Sequence, residues 1–315
     1  MKRSTVKPVA AREQHEIAVE EPFRLDLTVS VLRRLSSNIV DVLTADGEYF
    51  RALGDRHEPV IVRVTQLRPG ALAVTFARRE AVLGDHARAL ATVRRMLGVE
   101  CKLSRFYRAA RDIPWLRPLA VRMRGVKPPR YPTLWEACIN AIVFQQVSLV
   151  AASSISRRLI TALGVPKKWG SIALYAFPTI DRFQHASDDV LRAAGLSANK
   201  LAALRRVAEA LRSGMLDEAA LEALPSPDAA ALLCRIKGIG PWTATVILLR
   251  GLGRLDVFPM NDSSVARNLA FVAGSIPSDI DQALIELGPQ RGMLYYHLLL
   301  SRLDARGDVG RASSI

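Results

Sequence analysis

The chain has 315 residues, of which 44 are Lys or Arg and 30 are Asp or Glu, so its formal net charge is +14. Half of the residues are hydrophobic, which excludes a disordered polycation, and the length suggests about two domains. Its three well-separated cysteines exclude a disulfide framework, a CxxC zinc site and a four-cysteine iron–sulfur cluster.

The composition also bears on the environment and the partner. No apolar run approaches the roughly 18 residues that a membrane span needs, and the N-terminus lacks the apolar stretch of a signal sequence. We therefore expect a reduced, monomeric protein of the cytoplasm, associated with the nucleoid in a prokaryote, with no membrane partner. The positive charge favours a phosphate polyanion as partner, although it would also serve solubility alone. Because no run of like charges forms a basic tail, folding has to assemble any binding surface.

The first part of the chain predicts a small α+β domain. Residues 1–20 are polar and lack periodicity, which is typical of a flexible leader. Apolar and polar residues alternate over Phe23–Val31, which predicts a half-buried strand. The runs Val60–Val64 and Leu72–Phe76 flank a Pro-Gly turn and predict a hairpin, and helical spacing follows. We assign this antiparallel sheet with its helices to residues 21–125.

The second part of the chain predicts an all-α domain. Five prolines between positions 114 and 132 mark the crossing between domains, and strand signals are nearly absent beyond them. Thr133 and Glu136 form a capping box at the start of one helix, and Ser226 precedes a proline at the start of another. This domain is expected to cover residues 126–305, with a tail over 306–315.

The segment 232–249 predicts a hairpin between two helices. One helix ends near Ile236, two glycines flank a single apolar residue, and Pro241 starts the next helix. Glycine lets the chain reverse sharply and lets a ligand approach the backbone, while free N–H groups at the helix start attract phosphate. An ordinary tight connection between helices is the alternative. The candidate phosphate-binding residues are Lys237, Gly238, Ile239, Gly240 and Thr243.

The hairpin and the residues after it together resemble a known protein family. Gly238–Ala244, then Asp256-Val-Phe-Pro, then Asp262 at the start of a further helix, resemble the helix-hairpin-helix Gly/Pro/Asp (HhH-GPD) superfamily of DNA glycosylases. The pattern is specifically similar to the DNA-3-methyladenine glycosylase II (AlkA) type. The helix over Ile142–Ser148 resembles the one that bears the family's intercalating residue. The N-terminal α+β unit is similar to the family's extra domain, so the resemblance covers about residues 21–305.

The resemblance implies a monofunctional hydrolase that removes alkylated bases, chiefly 3-methyladenine, from duplex DNA after flipping the base out of the stack. Breaking the bond between base and sugar builds positive charge on the sugar, which a nearby carboxylate stabilises. Asp262 is the candidate for this role, and the alternative is that it only caps the following helix. Bifunctional members carry a catalytic Lys where this chain has Trp242, so no lyase step is expected. Asp256 is expected to be structural.

The resemblance also implies a base pocket, a wedge and an ion site. Trp242 would attract a cationic base by a cation–π contact, and Gln146 would fill the gap left by the flipped base. The candidate pocket residues are Trp242, Val246, Tyr295 and Tyr296, and the candidate wedge residues are Gln146 and Gln145. No cofactor is required, but Na⁺ or K⁺ is implied as a structural ion on the backbone carbonyls of Cys234, Ile236 and Ile239.

Two other functions stay open at this point. One is a glycosylase for oxidised or mismatched bases, and the other is a non-catalytic helix-hairpin-helix module that only binds DNA. Asp262 argues against the binding module, because a carboxylate near phosphates repels them. Trp242, standing at the Lys position, makes the glycosylase for oxidised bases the less favoured enzyme. The ranking of damaged bases is not encoded in any motif of the chain.

Overall fold

The computed structural model describes residues 14–54, 59–77, 83–260, 262–310 and 313. Its N-terminal part contains a five-stranded antiparallel sheet with the strand order β1-β5-β4-β3-β2. The strands are β1 (Gln14–Ala18), β2 (Val42–Leu43), β3 (Tyr49–Leu53), β4 (Val60–Arg68) and β5 (Ala71–Phe76). This confirms the predicted small sheet followed by a helical domain.

The predicted leader is wrong for its last described residues. Residues 14–18 form the edge strand β1, which pairs with β5 from Gln14 opposite Thr75 to Ala18 opposite Ala71. Ile17 is buried in this strand, so the sheet core anchors the segment. Positions 1–13, which make up the rest of the predicted leader, lie outside the described residues.

The predicted strand over Phe23–Val31 is also wrong, because the segment forms helix α1 (Leu25–Arg33). A step of two residues turns a helix by about 200°, so alternating apolar residues face opposite sides of it. Leu27 and Val31 accordingly pack in a cluster with the C-terminal helices, and Leu25 and Val29 pack in the cluster under the sheet. The helix lies between two cores, and this position produces the strand-like pattern.

The remaining chain is mostly helical. The helices are α2 (Leu83–Leu97), α3 (Ser104–Asp112), α4 (Arg117–Arg122), α5 (Leu134–Val143), α6 (Leu149–Leu163), α7 (Ile180–His185), α8 (Asp188–Ala193), α9 (Ala198–Arg212), α10 (Glu218–Ala223), α11 (Ser226–Cys234), α12 (Pro241–Arg250), α13 (Ser263–Ala273), α14 (Ile280–Leu287) and α15 (Gly292–Ala305). None of the described helices is long and apolar enough to cross a membrane.

Two apolar clusters organise these helices. One joins α5, α6, α9, α11 and α12, and the other joins α1, α3 and α4 with α13, α14 and α15. Helix α3, which precedes the proline-rich crossing, and helix α4, which lies within it, therefore pack with the C-terminal end of the chain. Helix α12 contributes to both clusters, since its Leu249 belongs to the second cluster and its Val246 to the first.

The all-α prediction missed one hairpin in the second domain. Strands β6 (Val165–Trp169) and β7 (Ile172–Ala176) pair in a separate two-stranded sheet. Trp169 packs edge-on against Phe50 of β3, with 5.7 Å between ring centroids, and both rings belong to one buried cluster. The hairpin thus extends the helical domain onto the outer face of the N-terminal sheet.

At two predicted helix starts, the observed hydrogen bonds differ from those predicted. The Thr133 hydroxyl accepts the Glu136 N–H at 3.2 Å, as a capping box requires, but the Glu136 carboxylate binds the buried Arg51 instead of returning to the backbone. Ser226 lies inside α11 and donates its hydroxyl to the Asp256 carboxylate at 2.9 Å. Asp256 therefore has the structural role expected of it, tying the loop before α13 to α11.

Candidate functional site

Helix α9 supports the hairpin between α11 and α12. Three residues spaced three apart on α9 reach neighbouring parts of the site. The Lys200 ammonium donates to the Val143 carbonyl at the end of α5, at 2.8 Å. Arg206 donates to the Lys237 carbonyl in the hairpin at 3.3 Å. Between them, Ala203 lies directly beneath Gly238. The end of α5 and the hairpin are therefore fixed on one surface.

The two hairpin glycines serve different purposes. Gly238 has φ of +107°, and a Cβ atom there would lie 2.4 Å from Ala203 Cβ, so both the backbone and the packing require glycine. Gly240 has φ of −95° as the N-cap of α12, and a Cβ atom there would meet no heavy atom within 4 Å among the described residues. Gly240 therefore leaves its backbone open to an approaching group, next to the first N–H groups of α12.

The predicted phosphate-binding residues are only partly exposed. Lys237, Gly238 and Gly240 are exposed, whereas Ile239 is buried and anchors the hairpin in the helical core. Thr243 is also buried, and its hydroxyl accepts the Gln145 amide N–H at 2.7 Å. The Thr243 side chain is thus committed to protein contacts, and only its backbone N–H remains to face a ligand.

Asp262 is both a helix cap and the centre of a hydrogen-bond network. Its Oδ1 atom accepts the backbone N–H of Ser264 at 2.7 Å and that of Val265 at 3.4 Å, which caps α13. The Ser264 hydroxyl donates to the same oxygen at 2.5 Å. Its Oδ2 atom accepts the indole N–H of Trp242 at 2.9 Å. The carboxylate is half-buried and held in one orientation at the positive end of a helix dipole.

Trp242 connects the hairpin to this carboxylate. It is the second residue of α12, it packs half-buried against the helical core, and its N–H edge points at Asp262. The sequence predicted a ring that walls the pocket and attracts a cation. The hydrogen bond to Asp262 is a role that the sequence did not indicate, because no local pattern relates positions 242 and 262.

The loop after α5 carries the predicted wedge. Gln145 donates to the Gly238 carbonyl at 3.0 Å and to the Thr243 hydroxyl, so it joins this loop to the hairpin. Gln146 is exposed and has φ of +53°, one of two described non-glycine residues with positive φ. Such strained residues are held by their surroundings and concentrate at functional sites. Val147 beside it is an exposed apolar residue that the sequence did not single out.

Two of the three predicted pocket residues on α12 and α15 other than Trp242 are buried in the core. Tyr296 is fully buried and donates its hydroxyl to the Leu249 carbonyl at 3.0 Å, so it belongs to the core. Val246 is also buried, among the apolar residues of the first helical cluster. Tyr295 is half-buried and its hydroxyl interacts with the guanidinium groups of Arg34 and Arg250. Of the two tyrosines, only Tyr295 is partly exposed.

The hairpin offers backbone carbonyl oxygens, which are ligands of the type that hard cations accept. The Ile236 carbonyl accepts the Ile239 N–H at 2.9 Å and retains a second lone pair. Within the described part of the chain, no group of three or more His, Cys, Asp or Glu side chains could hold a metal ion. Any ion at the hairpin would therefore be bound through backbone oxygens.

Comparison with known proteins gives a family match over the second half of the chain. A family model described as "HhH-GPD superfamily base excision DNA repair protein" matches residues 139–287, which include the hairpin, Trp242 and Asp262. The "DNA-3-methyladenine glycosylase" of Bacillus subtilis is 28% identical over 167 residues, which are 53% of this chain and 55% of the relative. The chain thus spans about half the length of that relative.

Two further matches cover most of the molecule. The "DNA-3-methyladenine glycosylase 2" of Escherichia coli is 26% identical over 259 residues, which are 81% of this chain and 86% of the relative. The solved structure of a 3-methyladenine DNA glycosylase from Archaeoglobus fulgidus superposes with a TM-score of 0.76 at 24% identity. It covers 92% of this chain and 99% of that chain. The structural likeness establishes the shared fold, including the N-terminal sheet.

Proposed function

We propose that this chain is a DNA glycosylase of the HhH-GPD superfamily of base excision DNA repair proteins, whose family model matches residues 139–287. The proposed reaction is hydrolysis of the N-glycosidic bond of alkylated bases, 3-methyladenine and related lesions, in duplex DNA. The observation that carries the proposal is the Asp262 carboxylate, which Trp242 and the start of α13 orient close to the hairpin that we expect to bind phosphate.

The proposed mechanism uses one carboxylate. As the bond between sugar C1′ and the base nitrogen breaks, both bonding electrons leave with the base, and positive charge develops on the sugar ring. The Asp262 carboxylate stabilises that charge electrostatically and accepts a proton from the water that attacks C1′. A base alkylated on a ring nitrogen is already cationic and leaves as a neutral molecule, so no general acid is needed.

The absence of a lyase step is part of the proposal. A lyase needs an amine that attacks C1′, and the position where bifunctional relatives carry it is Trp242 in this chain. Here the Trp242 side chain donates to the catalytic carboxylate. Lys237 is exposed on the hairpin, where its ammonium would lie near phosphates.

The proposed encounter with DNA uses two surfaces that lie side by side. The hairpin backbone at Gly238 and Gly240 would hold a phosphate, and the loop at Gln146 and Val147 would enter the stack where the base leaves it. The hydrogen bonds of Gln145 to the hairpin support this arrangement, because they fix the distance between the two surfaces. We further propose a structural Na⁺ or K⁺ on the carbonyls of Cys234, Ile236 and Ile239, and a monomer as the active form.

The proposal is tested by identifying the free bases released from methylated duplex DNA, by chromatography with mass detection. The wild-type protein should release 3-methyladenine. Asp262→Asn should release none, yet bind duplex DNA as well or more tightly, because the amide keeps the helix cap and removes a negative charge. Base release by the Asn variant would remove Asp262 from the mechanism. Binding without any release by the wild-type protein would instead support the non-catalytic alternative.

A further inference from the structure

A small polar cavity lies between the end of α1, helix α5 and helix α6. Its volume is about 40 Å³, and its wall also includes the loop that follows α1. A cavity of this size has room for about one to three water molecules or one small ion, since each water needs roughly 10–15 Å³. Ser37, Asn38 and Ser153 line the cavity and are only half-buried, which leaves a small solute a way in from solvent.

Two residues in the cavity wall have a buried polar atom without a partner. Arg34 is only 6% exposed, and its Nη1 atom has no hydrogen-bond partner among the described residues. The Oγ atom of Ser156 on α6 is also buried, and within the described part of the chain it has no partner either. Both residues line the cavity. Because an unpaired buried donor is costly, a group in the cavity that accepts hydrogen bonds from both would be stabilising.

The position of the Arg34 guanidinium is fixed by its surroundings. The residue has φ of +63°, and a side chain persists in this backbone region only where neighbouring groups enforce it. The guanidinium carbon lies 3.6 Å from the centre of the Phe144 ring. The Tyr295 hydroxyl interacts with another part of the guanidinium group. Neither contact uses Nη1, so this atom is the one that remains for a further acceptor.

The two carboxylates in the cavity wall are already paired with another cation. Asp41 and Glu136 both line the cavity, and both accept hydrogen bonds from the buried Arg51. The Arg51 Nη2 atom lies 2.7 Å and 2.5 Å from the two Glu136 oxygens. The Tyr49 hydroxyl donates to Asp41 as well, at 2.7 Å. Among the described residues, Arg34 forms no ion pair with either carboxylate.

The balance of charge around the cavity favours an anion over water. Arg34, Arg51 and Arg157 bring three positive charges to the two carboxylates. Arg33 also lines the cavity but is left out of this balance, because it donates to oxygen atoms near the C-terminus. Burial lowers the pKa of Arg34, and the nearby Arg250 lowers it further, against the opposing effect of two tyrosines. A buried charge is tolerated when it is paired, and water carries no charge to pair with it.

We propose that this cavity binds a small monovalent anion of the size of chloride, which accepts hydrogen bonds from Arg34 Nη1 and the Ser156 hydroxyl. The anion would join the end of α1 to α6, and so stabilise the contact between the N-terminal part of the chain and the helical domain. The site goes beyond the proposed glycosylase function, since neither Trp242 nor Asp262 lines the cavity. Its test needs no DNA, so its outcome is independent of that function.

The test compares urea unfolding of the full chain in sodium chloride and in sodium gluconate at the same ionic strength, because gluconate is too large for the cavity. Chloride at about ten times its dissociation constant should shift the folding equilibrium of the wild-type protein about tenfold toward the folded state. Arg34→Met removes the donor and the charge while keeping a long side chain against Phe144, and should abolish the difference between the salts. Ser156→Ala should reduce that difference.

The matched control is Ser301→Ala. Ser301 on α15 is a buried serine whose hydroxyl also has no partner among the described residues, but it does not line the cavity. This variant should keep the full response to chloride, and crystals grown in bromide should show an anomalous peak beside Arg34 and Ser156. Equal unfolding midpoints of the wild-type protein in the two salts would overturn the proposal, because the cavity would then hold only water. A chloride response that is undiminished in Ser156→Ala and Arg34→Met would also overturn it, by placing the ion elsewhere. If Arg34→Met does not fold, Ser156→Ala and the bromide peak decide the question.

Discussion

Replacing Trp242 with Phe isolates the contact that distinguishes Asp262 from an ordinary helix cap. The change removes the indole N–H that donates to Oδ2 at 2.9 Å and keeps an aromatic ring in the half-buried site. The other three hydrogen bonds, from Ser264 and Val265, all go to Oδ1 and remain. Helix α13 should therefore stay capped while the carboxylate loses its second restraint.

The expected loss of activity follows from the strength of a hydrogen bond to a charged carboxylate. A hydrogen bond to a charged group contributes about 1.5–3 kcal/mol, and about 1.4 kcal/mol corresponds to tenfold in rate. If the full amount orients the carboxylate in the transition state, kcat should fall about 10- to 150-fold with KM little changed. In an Asp262→Asn background, Trp242→Phe should cost nothing further, because the group that it orients no longer acts.

Trp135 provides the matched control for this experiment. It is a buried Trp of the same helical core, and its indole N–H donates to the Pro178 carbonyl at 3.0 Å, far along the chain from Asp262. Trp135→Phe should lower the free energy of unfolding by about 1–3 kcal/mol and leave single-turnover base release unchanged. Equal activity losses in the two variants would refute the orienting role of Trp242 and indicate a general effect on folding.

Three further predictions concern other parts of the molecule. Gly240→Asp should weaken the affinity for DNA duplexes of unrelated sequence by the same factor, measured by fluorescence anisotropy. Gly238→Ala should mainly lower the melting temperature of the protein. A loss of affinity for only some sequences in Gly240→Asp would contradict a contact with the DNA backbone. Borohydride should trap no covalent adduct with DNA, and a trapped species would overturn the monofunctional assignment. Burial lowers the pKa of His297 from 6.5 to about 4, so stability should fall by about 3 kcal/mol as the pH drops through that interval. His297→Phe should flatten this dependence in urea titrations, and an unchanged slope would assign it to other groups.

The sign of the His297 effect follows from where its proton is bound. The unfolded chain binds a proton near pH 6.5, whereas the folded chain resists it because the ring is fully buried. The unfolded state therefore binds more protons between the two pKa values, and stability rises with pH over that range. Phe fits the site because the His297 ring already packs against Phe106, with 4.6 Å between centroids.

The hairpin and Asp262 could be found from the sequence because their constraints are local. A sharp reversal needs glycine, and a helix that starts at Ser263 needs a capping side chain just before it. The structure bears out the predicted cap directly, with Asp262 accepting the Ser264 and Val265 N–H groups. Both motifs depend on residues that are close in the chain, so they can be recognised without any knowledge of tertiary packing.

Helix α1 and Arg34 could not be found this way because their environment comes from distant segments. Alternating apolar residues mean a strand only when one face is buried, and α1 is covered on two opposite sides by separate clusters. Arg34 lies in the chain among ordinary basic residues, and only folding brings it to Phe144 and Tyr295. A single sequence holds no signal for a buried cation whose partners come from three elements.

The two interpretations of Asp262 that the sequence left open, helix cap and catalytic carboxylate, do not exclude each other. Capping uses Oδ1, and the bond from Trp242 uses Oδ2, so the two oxygens have separate tasks. An Asn at this position would keep the cap and the fold, because it is as good an N-cap as Asp. The negative charge is what Asn cannot supply, and charge is what a developing cation on the sugar requires. A helix start is thus also a favourable place for this chemistry, since its dipole stabilises the anion that the reaction needs.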